Sequence, residues 1–269
     1  MNHGSRLGRK VALGYPCGGT ITVPFHSSLQ RLLAYEIQKP DRERLLAKEM
    51  HAMGLYVGAN RQTIAERFMA GDSDWLLQVD TDIEFPVSLV ETMLALADDE
   101  RRIVAANVPL GDPRLGAHST VAYRATATPG LFDNFARMPA DLFMCDAVAT
   151  ACVLIHRSVF EAIAETDGQT WFLTKLYPAS PASTPRRDFK FRELGEDLSF
   201  CIRAREHGFD VWCAYVPGLK HYKTCALSDD HERDQRFAMG ALDLGEMGEI
   251  VADEESDAVV VAGGANGLP

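Results

Sequence analysis

Residues 75–86 read WLLQVDTDIEFP, and this stretch decides how the rest of the chain is interpreted. A mainly apolar run of strand-like length stops at two carboxylates, Asp80 and Asp82, with Thr81 between them, and Pro86 opens the next element. In an open α/β sheet, ligands bind beyond the carboxyl ends of the strands. An Asp pair there presents oxygens to a hard divalent cation, which in turn holds phosphate oxygens. The same tripeptide also occurs in turns and helix caps, so by itself it leaves a purely structural role open.

The composition is that of a globular protein. The chain has 269 residues, of which 46% are apolar, enough for one large domain or two small ones. Its net charge of −11 argues against a general nucleic-acid binder, which normally carries a basic surface. The six cysteines form no C-x-x-C pair and indicate buried free thiols in a reducing compartment. No apolar run approaches the ~20 residues of a membrane span and no signal peptide is evident, so we expect a soluble, cytoplasmic protein.

The first half of the chain alternates strand-like and helical segments. Strands are predicted at residues 11–15, 75–79 and 103–106. Helices are predicted at residues 24–37, 60–69 and 89–96. Residues 43–53 are compatible with either a strand or a helix. The alternation predicts an α/β fold with a largely parallel sheet and helices on both faces.

The second half is less regular. Residues 145–155 are apolar and rich in β-branched side chains, which predicts a strand, and residues 157–164 follow as a short helix. Residues 167–192 are rich in Pro, Ser and Thr and end in a basic cluster. A loop of that length in a compact domain is either functional or a tolerated surface insertion. We expect one domain over residues 10–227 and a partly flexible C-terminal extension over residues 228–269.

Three segments, taken in order, resemble the GT-A class of nucleotide-sugar glycosyltransferases, in particular the family 2-like group of bacteria and phages. They are the D-x-D strand, residues 146–157 (DAVATACVLIHR) and residues 195–209 (GEDLSFCIRAREHGF). The resemblance covers residues 11–222. It implies a Rossmann-like, mainly parallel sheet flanked by helices, with a smaller mixed sheet on the acceptor side. It also implies transfer of a sugar from a nucleoside-diphosphate sugar to an acceptor hydroxyl. The family 2-like group inverts the anomeric centre, whereas related GT-A enzymes with the same D-x-D motif retain it, and the spacing of the motif does not separate the two outcomes.

The resemblance also implies a donor site. Asp82 is the main predicted ligand of Mn²⁺ or Mg²⁺, His221 is a second, and Asp80 reaches the ribose or the metal through water. The predicted nucleotide-binding residues are Pro16, Asn60, Arg61, Asp80 and Thr81. The family often has Arg-Asn before the D-x-D strand, whereas this chain has Ala59-Asn60 followed by Arg61. That departure leaves the base contact and the nucleotide open, although UDP is favoured.

The acceptor side is predicted from the start of the last long helix. By resemblance Asp197 is the general base and Glu196 orients the acceptor or the neighbouring loop. The alternative is that both acids only complement the positive end of the helix. Residues 167–192 would close as a lid, with Trp171 over the sugar. The acceptor could be a glycan, a lipid carrier, a protein or a modified nucleobase.

Two rival functions remain open at this point. An Asp pair after an apolar strand also resembles the aspartyl-nucleophile phosphatases and phosphotransferases, although the later Lys and second acidic loop of that class are not evident. A non-catalytic nucleotide-sugar or carbohydrate-binding module is the other. Such a module would need no acidic helix start in addition to the D-x-D strand.

Overall fold

The computed structural model describes residues 8–109, 120–178 and 191–222, all within the unit Met1–Cys225. The helices are α1 Val23–Gln38, α2 Val57–Met69, α3 Leu89–Leu96, α4 Arg157–Asp167 and α5 Glu196–Glu206, with a single 3₁₀ turn at Asp41–Glu43. The strands are β1 Val11–Cys17, β2 Leu46–Met53, β3 Trp75–Val79, β4 Ile83–Glu84, β5 Ile103–Ala106, β6 Ala122–Ala125, β7 Phe132–Asn134, β8 Leu142–Cys145, β9 Ala147–Val148, β10 Cys152–His156, β11 Lys175–Pro178, β12 Phe191–Leu194, β13 Val211–Ala214 and β14 Lys220–His221. The predicted C-terminal extension lies outside the described residues.

A seven-stranded sheet forms the centre, in the order β2-β1-β3-β10-β5-β13-β8. Five of its strands run in one direction, and β10 and β8 run against them. Within the described ranges three smaller sheets accompany it, namely β7-β6-β9, β11-β12 and β14-β4. The predicted fold class, a mainly parallel sheet flanked by helices with smaller sheets beside it, is confirmed. The smaller sheets are antiparallel rather than mixed.

The central strand β3 is buried at all five of its positions. A central strand buried on both faces favours apolar side chains at consecutive positions, and all residues of β3 except Gln78 are apolar. Each large side chain that it buries contributes roughly 1.5–3 kcal/mol. The strand ends where the first carboxylate follows Val79, because an ionised group is costly to bury without a partner.

The apolar stretch at residues 145–155, predicted as one strand, is divided between two sheets. β8 ends at Cys145, β9 joins the small sheet beside β6, and β10 returns to the central sheet. Asp146 marks the crossing, because its carboxylate accepts the amide of Ala125 at 2.8 Å and pairs with Arg205 at 2.8 Å. Both sheets bury apolar residues, so hydrophobicity alone could not separate the strands.

The ambiguous residues 43–53 contain a strand, β2, at the edge of the central sheet. It pairs in parallel with β1, and Lys48 and Glu49 are exposed on it. Pairing with β1 therefore decides the conformation of a segment whose own pattern is weak. Its exposed charges are typical of an open sheet edge.

Candidate active site

The D-x-D loop lies at the carboxyl end of β3, held from two sides. The amide of Asp80 donates to the carbonyl of Ala151 at 2.8 Å. The backbone amide and the side-chain hydroxyl of Thr22 both donate to the carbonyl of Thr81, at 3.0 and 3.1 Å. Thr22 is also the N-cap of α1, where its oxygen accepts the amide of Phe25. The start of α1 and the segment before β10 thereby fix the loop.

His221 contacts Asp82 because the chain returns to the D-x-D loop after the last strand of the central sheet. β14 pairs antiparallel with β4, and the amide of Tyr222 donates to the carbonyl of Asp82 at 2.9 Å. This places His221 Nε2 3.0 Å from Asp82 Oδ2. The other ring nitrogen, Nδ1, lies 3.0 Å from the carbonyl oxygen of Pro109. The side chain of His221 is 6% exposed.

Both nitrogens of His221 therefore face oxygen acceptors, which bears on the predicted metal. A neutral imidazole has one N–H, so it can satisfy only one of the two oxygens. A protonated ring would donate to both oxygens. Alternatively, a cation could lie between Nε2 and the carboxylate of Asp82 while Nδ1 donates to the carbonyl of Pro109. A ligating histidine commonly donates its other N–H to a backbone carbonyl, as His221 does to Pro109. Asp82 and His221 thus fit a divalent cation.

No third ligand completes that pair inside the part of the chain that the structure describes. There, no group of three or more His, Cys, Asp or Glu side chains could hold a metal ion together. Mg²⁺ and Mn²⁺ commonly take one or two protein groups and fill the other positions with water and substrate phosphate. The two residues are consistent with such a site. Asp80, the third predicted ligand, is engaged elsewhere.

Asp80 pairs with Arg61, whose guanidinium is 4% exposed. Nη2 of Arg61 lies 2.8 Å from Asp80 Oδ1, and its Nε lies 3.4 Å from Glu196 Oε1. Nη1 donates to the carbonyl of Thr150 at 3.1 Å. The predicted contact of Arg61 with the nucleotide would have to break these interactions. The structure instead places its guanidinium between the D-x-D loop and the start of α5.

The acidic groups outnumber the one buried cation that lies among them. Burial raises the pKa of Asp80, Arg61 opposes that shift, and Asp82 and Glu196 add to it. Burial lowers the pKa of Arg61, but Asp80, Glu196 and Asp197 outweigh it and the pKa is raised. Three carboxylates act on the one guanidinium, and Asp82 acts on Asp80 beside it, which leaves an excess of negative charge. A cation would relieve it.

Asp197 lies in the first turn of α5, and its pKa is raised to about 6. Burial is the main cause and the neighbouring Glu196 adds to it, while the hydrogen bond from the amide of Leu198 opposes the shift. The positive end of the helix favours the ionised form of this acid, but burial and the repulsion from Glu196 outweigh it. A pKa near 6 suits a group that must accept a proton near neutral pH.

Two of the predicted nucleotide-binding residues, Pro16 and Asn60, have structural roles at the carboxyl ends of β1 and β2. Pro16 is buried inside β1 rather than in the loop after it, paired with Ala52 of β2. Asn60 Nδ2 donates to the carbonyls of Cys17 and Gly54, at 3.1 and 3.0 Å, and so ties the ends of β1 and β2 together. A nucleotide contact by Pro16, Asn60 or Thr81 remains a prediction.

The first part of the predicted lid belongs to the core. Trp171 is 0% exposed, and its Nε1 donates to the carbonyl of Phe160 at 2.8 Å. Gln62 of α2 accepts the amide of Phe172 at 3.1 Å. The prediction that Trp171 covers the sugar is therefore wrong, because the indole packs inside the protein. Residues 179–190, with most of the basic cluster, lie outside the described residues. Whether the rest of the segment closes as a lid therefore stays a prediction.

Trp171→Phe is expected to lower the melting temperature by several degrees and to leave donor affinity unchanged. The substitution keeps an aromatic ring but removes the indole N–H, so the carbonyl of Phe160 loses its donor. A lost buried hydrogen bond costs about 1–3 kcal/mol. Thermal unfolding followed by calorimetry measures the first effect and nucleotide titration the second. A changed affinity with an unchanged melting temperature would return Trp171 to the ligand site.

Sequence reasoning missed the partners that hold the site. Pro109 and Ala151 act through their backbone carbonyls, which leave no signature in residue type. Thr22 is a typical N-cap residue, but nothing in the sequence pairs it with the D-x-D loop. Arg61 was predicted to contact the nucleotide, whereas in the structure it pairs with Asp80 and Glu196. The one signal available was a cation on the buried face of the helix that precedes a pair of acids.

Comparisons with known proteins leave the family open. No family model and no curated protein matches the chain. Among solved structures it is similar to A197 from STIV, with TM-score 0.46 and 16% identity, over 80% of this chain and 86% of that one. It is also similar to the inositol-1-phosphate CTP transferase from T. maritima, with TM-score 0.41 and 10% identity, over 86% of this chain and 97% of that one. Likenesses this weak carry no argument about activity, so function is argued from this chain's own residues.

One further finding concerns membranes. Over the three described ranges, none of the helices combines the length and the apolar character that crossing a bilayer requires.

Proposed function

We propose that the protein transfers a sugar from a nucleoside-diphosphate sugar to an acceptor hydroxyl, with the help of a divalent cation. The observation that carries the proposal is the contact of Asp82 with His221, whose second ring nitrogen faces the carbonyl of Pro109. Asp82 and His221 would hold Mn²⁺ or Mg²⁺. When bound, the ion supplies positive charge to the diphosphate that leaves.

The reaction we propose is a single displacement at the anomeric carbon. The acceptor oxygen forms a bond to that carbon while the bond to the diphosphate oxygen breaks, and the diphosphate leaves with the electron pair. The acceptor proton passes to the carboxylate of Asp197, whose pKa of about 6 leaves it mostly ionised at pH 7. One displacement inverts the anomeric centre. Glu196 is held by Arg61 and would orient the acceptor or the adjacent loop.

The position of the acids supports this proposal over the two rivals. An aspartyl nucleophile would need the first acid of the motif free to attack phosphorus, yet Asp80 is bound by Arg61 at 2.8 Å. A binding module has no use for a buried carboxylate with a pKa raised toward neutrality, such as Asp197. We favour UDP as the nucleotide, and a glycan, a lipid carrier, a protein or a modified nucleobase as the acceptor.

A thermal-shift panel tests the donor class. UDP-, GDP- and TDP-sugars are each added with Mn²⁺, with Mg²⁺ and with a chelator. We expect one nucleotide, UDP in our proposal, to raise the melting temperature by several degrees only when the cation is present, because a ligand at 100 times its Kd stabilises by about 2.7 kcal/mol. Equal shifts in chelator, or no shift with any nucleotide, would contradict the proposal. Release of phosphate from a phosphomonoester would favour the phosphatase.

A further inference from the structure

Arg61 occupies a position that the proposed reaction does not by itself explain. It lies on α2, yet its guanidinium reaches two other parts of the site, Asp80 after β3 and Glu196 at the start of α5. These partners are 19 and 135 residues away in the chain. Two further acceptors, the carbonyl of Thr150 and the side-chain oxygen of Gln78, occupy Nη1 at 3.1 and 3.4 Å.

The approach of α5 to α2 is tight at the same place. Gly58 lies one turn before Arg61 on α2, and a Cβ at this glycine would lie 3.1 Å from Cβ of Glu196 and 3.4 Å from the carbonyl oxygen of Phe172. The first of these distances is shorter than ordinary carbon–carbon contact. The absence of a side chain at Gly58 therefore lets the two helices approach closely enough for Arg61 to reach Glu196.

A buried guanidinium is costly to keep without partners, and removing one partner leaves an uncompensated charge. Here the planar group directs its nitrogens toward separate acceptors on β3, on the segment before β10 and on α5. A lysine ammonium is a point charge on a flexible stem and cannot hold several acceptors in one fixed arrangement. The geometry thus requires arginine rather than any cation.

We propose that Arg61 is a positioning residue, which holds Asp80 and Glu196 in one arrangement and thereby couples the metal end of the site to the acceptor end. The inference rests on the proposed function. Arg61 touches neither donor nor acceptor in this role. It sets where the D-x-D loop lies relative to α5, and a disturbance at Glu196 is transmitted to the metal end through its guanidinium.

Two acids at the start of α5 offer a matched comparison. Glu196→Gln and Asp197→Asn each remove one negative charge from adjacent positions, but of the two only Glu196 contacts Arg61 among the described contacts. Binding of Mn²⁺ with UDP is measured by calorimetry at fixed pH for wild type and both variants. We expect Glu196→Gln to loosen Arg61 and with it Asp80, and so to weaken the Mn²⁺ affinity about tenfold, the lower end of the range for losing groups that support a metal site, and we expect Asp197→Asn to weaken it clearly less.

Arg61→Lys provides the direct test, with Arg157→Lys as its control. Arg157 is also an arginine that supports α2, but it donates to backbone carbonyls such as those of Phe68 and Gly71, both at 2.9 Å, and to the sulfur of Met69, and among the described residues no ion pair joins it to a carboxylate of the site. Both lysine variants should unfold at lower temperature. Only Arg61→Lys should lose Mn²⁺ affinity, by about 10- to 100-fold.

The outcomes separate the inference from the proposed function. If the wild-type protein binds no Mn²⁺ in the presence of UDP, both the proposed function and the inference about Arg61 are wrong. A wild type that binds, beside Arg61→Lys with lower stability but unchanged affinity, removes the inference alone and leaves Arg61 a structural residue. If Arg61→Lys does not fold, the comparison of Glu196→Gln with Asp197→Asn decides. Equal losses of Mn²⁺ affinity in these two variants would contradict the inference about Arg61, because the loss of one negative charge would then explain both results.

Discussion

Asp82→Ala is expected to abolish the stabilisation of the protein by nucleoside diphosphate and Mn²⁺, while the protein without ligands keeps its fold. The carboxylate of Asp82 is 33% exposed and faces His221 Nε2. Its removal takes away an ion ligand, whereas the backbone bond from Tyr222 to the carbonyl of residue 82 remains. At ligand concentrations 100 times the wild-type Kd, about 2.7 kcal/mol of stabilisation should disappear. Thermal shift and calorimetric titration measure the loss.

A matched control lies on the same ribbon. Glu84 belongs to β4, and its carboxylate pairs with Lys220 at 3.3 Å and accepts from the hydroxyl of Tyr222 at 2.5 Å. Glu84→Gln removes the same charge two residues away without touching the contact with His221. It should keep the metal-dependent shift. If Asp82→Ala binds UDP in Mn²⁺ as tightly as wild type, the assignment of the metal site is wrong.

How much of this architecture the sequence could predict depends on the range of the interaction that decides each feature. The apolar run of β3 and the helical spacing over α1 and α2 are local, and both were predicted to within a few residues. The D-x-D pair was located because residue type and strand end coincide. Strand pairing is non-local, which is why β2 was left ambiguous and residues 145–155 were assigned to a single strand.

The site shows the same division. Asp82 and His221 are 139 residues apart, and only the resemblance to a known family joined them before the structure did. Trp171 was assigned to a lid because the composition around it is loop-like. Its indole contacts Phe160 of α4, and no local pattern encodes that contact. The pKa of Asp197 likewise follows from burial and from Glu196, whereas the sequence offered only the helix start.

Asp197→Asn is expected to lower the rate of transfer by on the order of 10²-fold or more, the usual scale for a general base, and to leave metal-dependent donor binding within a few-fold of wild type. Asn keeps the oxygen that accepts the amide of Leu198 but cannot take a proton. In wild type the rate should fall about tenfold per unit below pH 6, because the pKa of Asp197 is about 6 and only the ionised form accepts the proton. In Asp197→Asn that slope should vanish. Glu196→Gln should cost less in rate, because it only orients.

The same substitution should also change stability, with a sign that a mere helix cap would not give. The pKa of Asp197 is about 6 in the folded protein, against roughly 3.9 in an unfolded chain, so the folded state binds more protons between these values. Wild-type stability therefore decreases as pH rises from 4 to 6, by on the order of 2 kcal/mol. Asp197→Asn lacks this cost and should unfold at higher temperature than wild type at pH 7, with the difference vanishing near pH 4.

The opposite result would identify Asp197 as a helix cap. If Asp197→Asn transfers the sugar at nearly the wild-type rate and is less stable than wild type at pH 7, another residue must act as the base. Asp146, paired with Arg205 at 2.8 Å, would have to break that ion pair to serve.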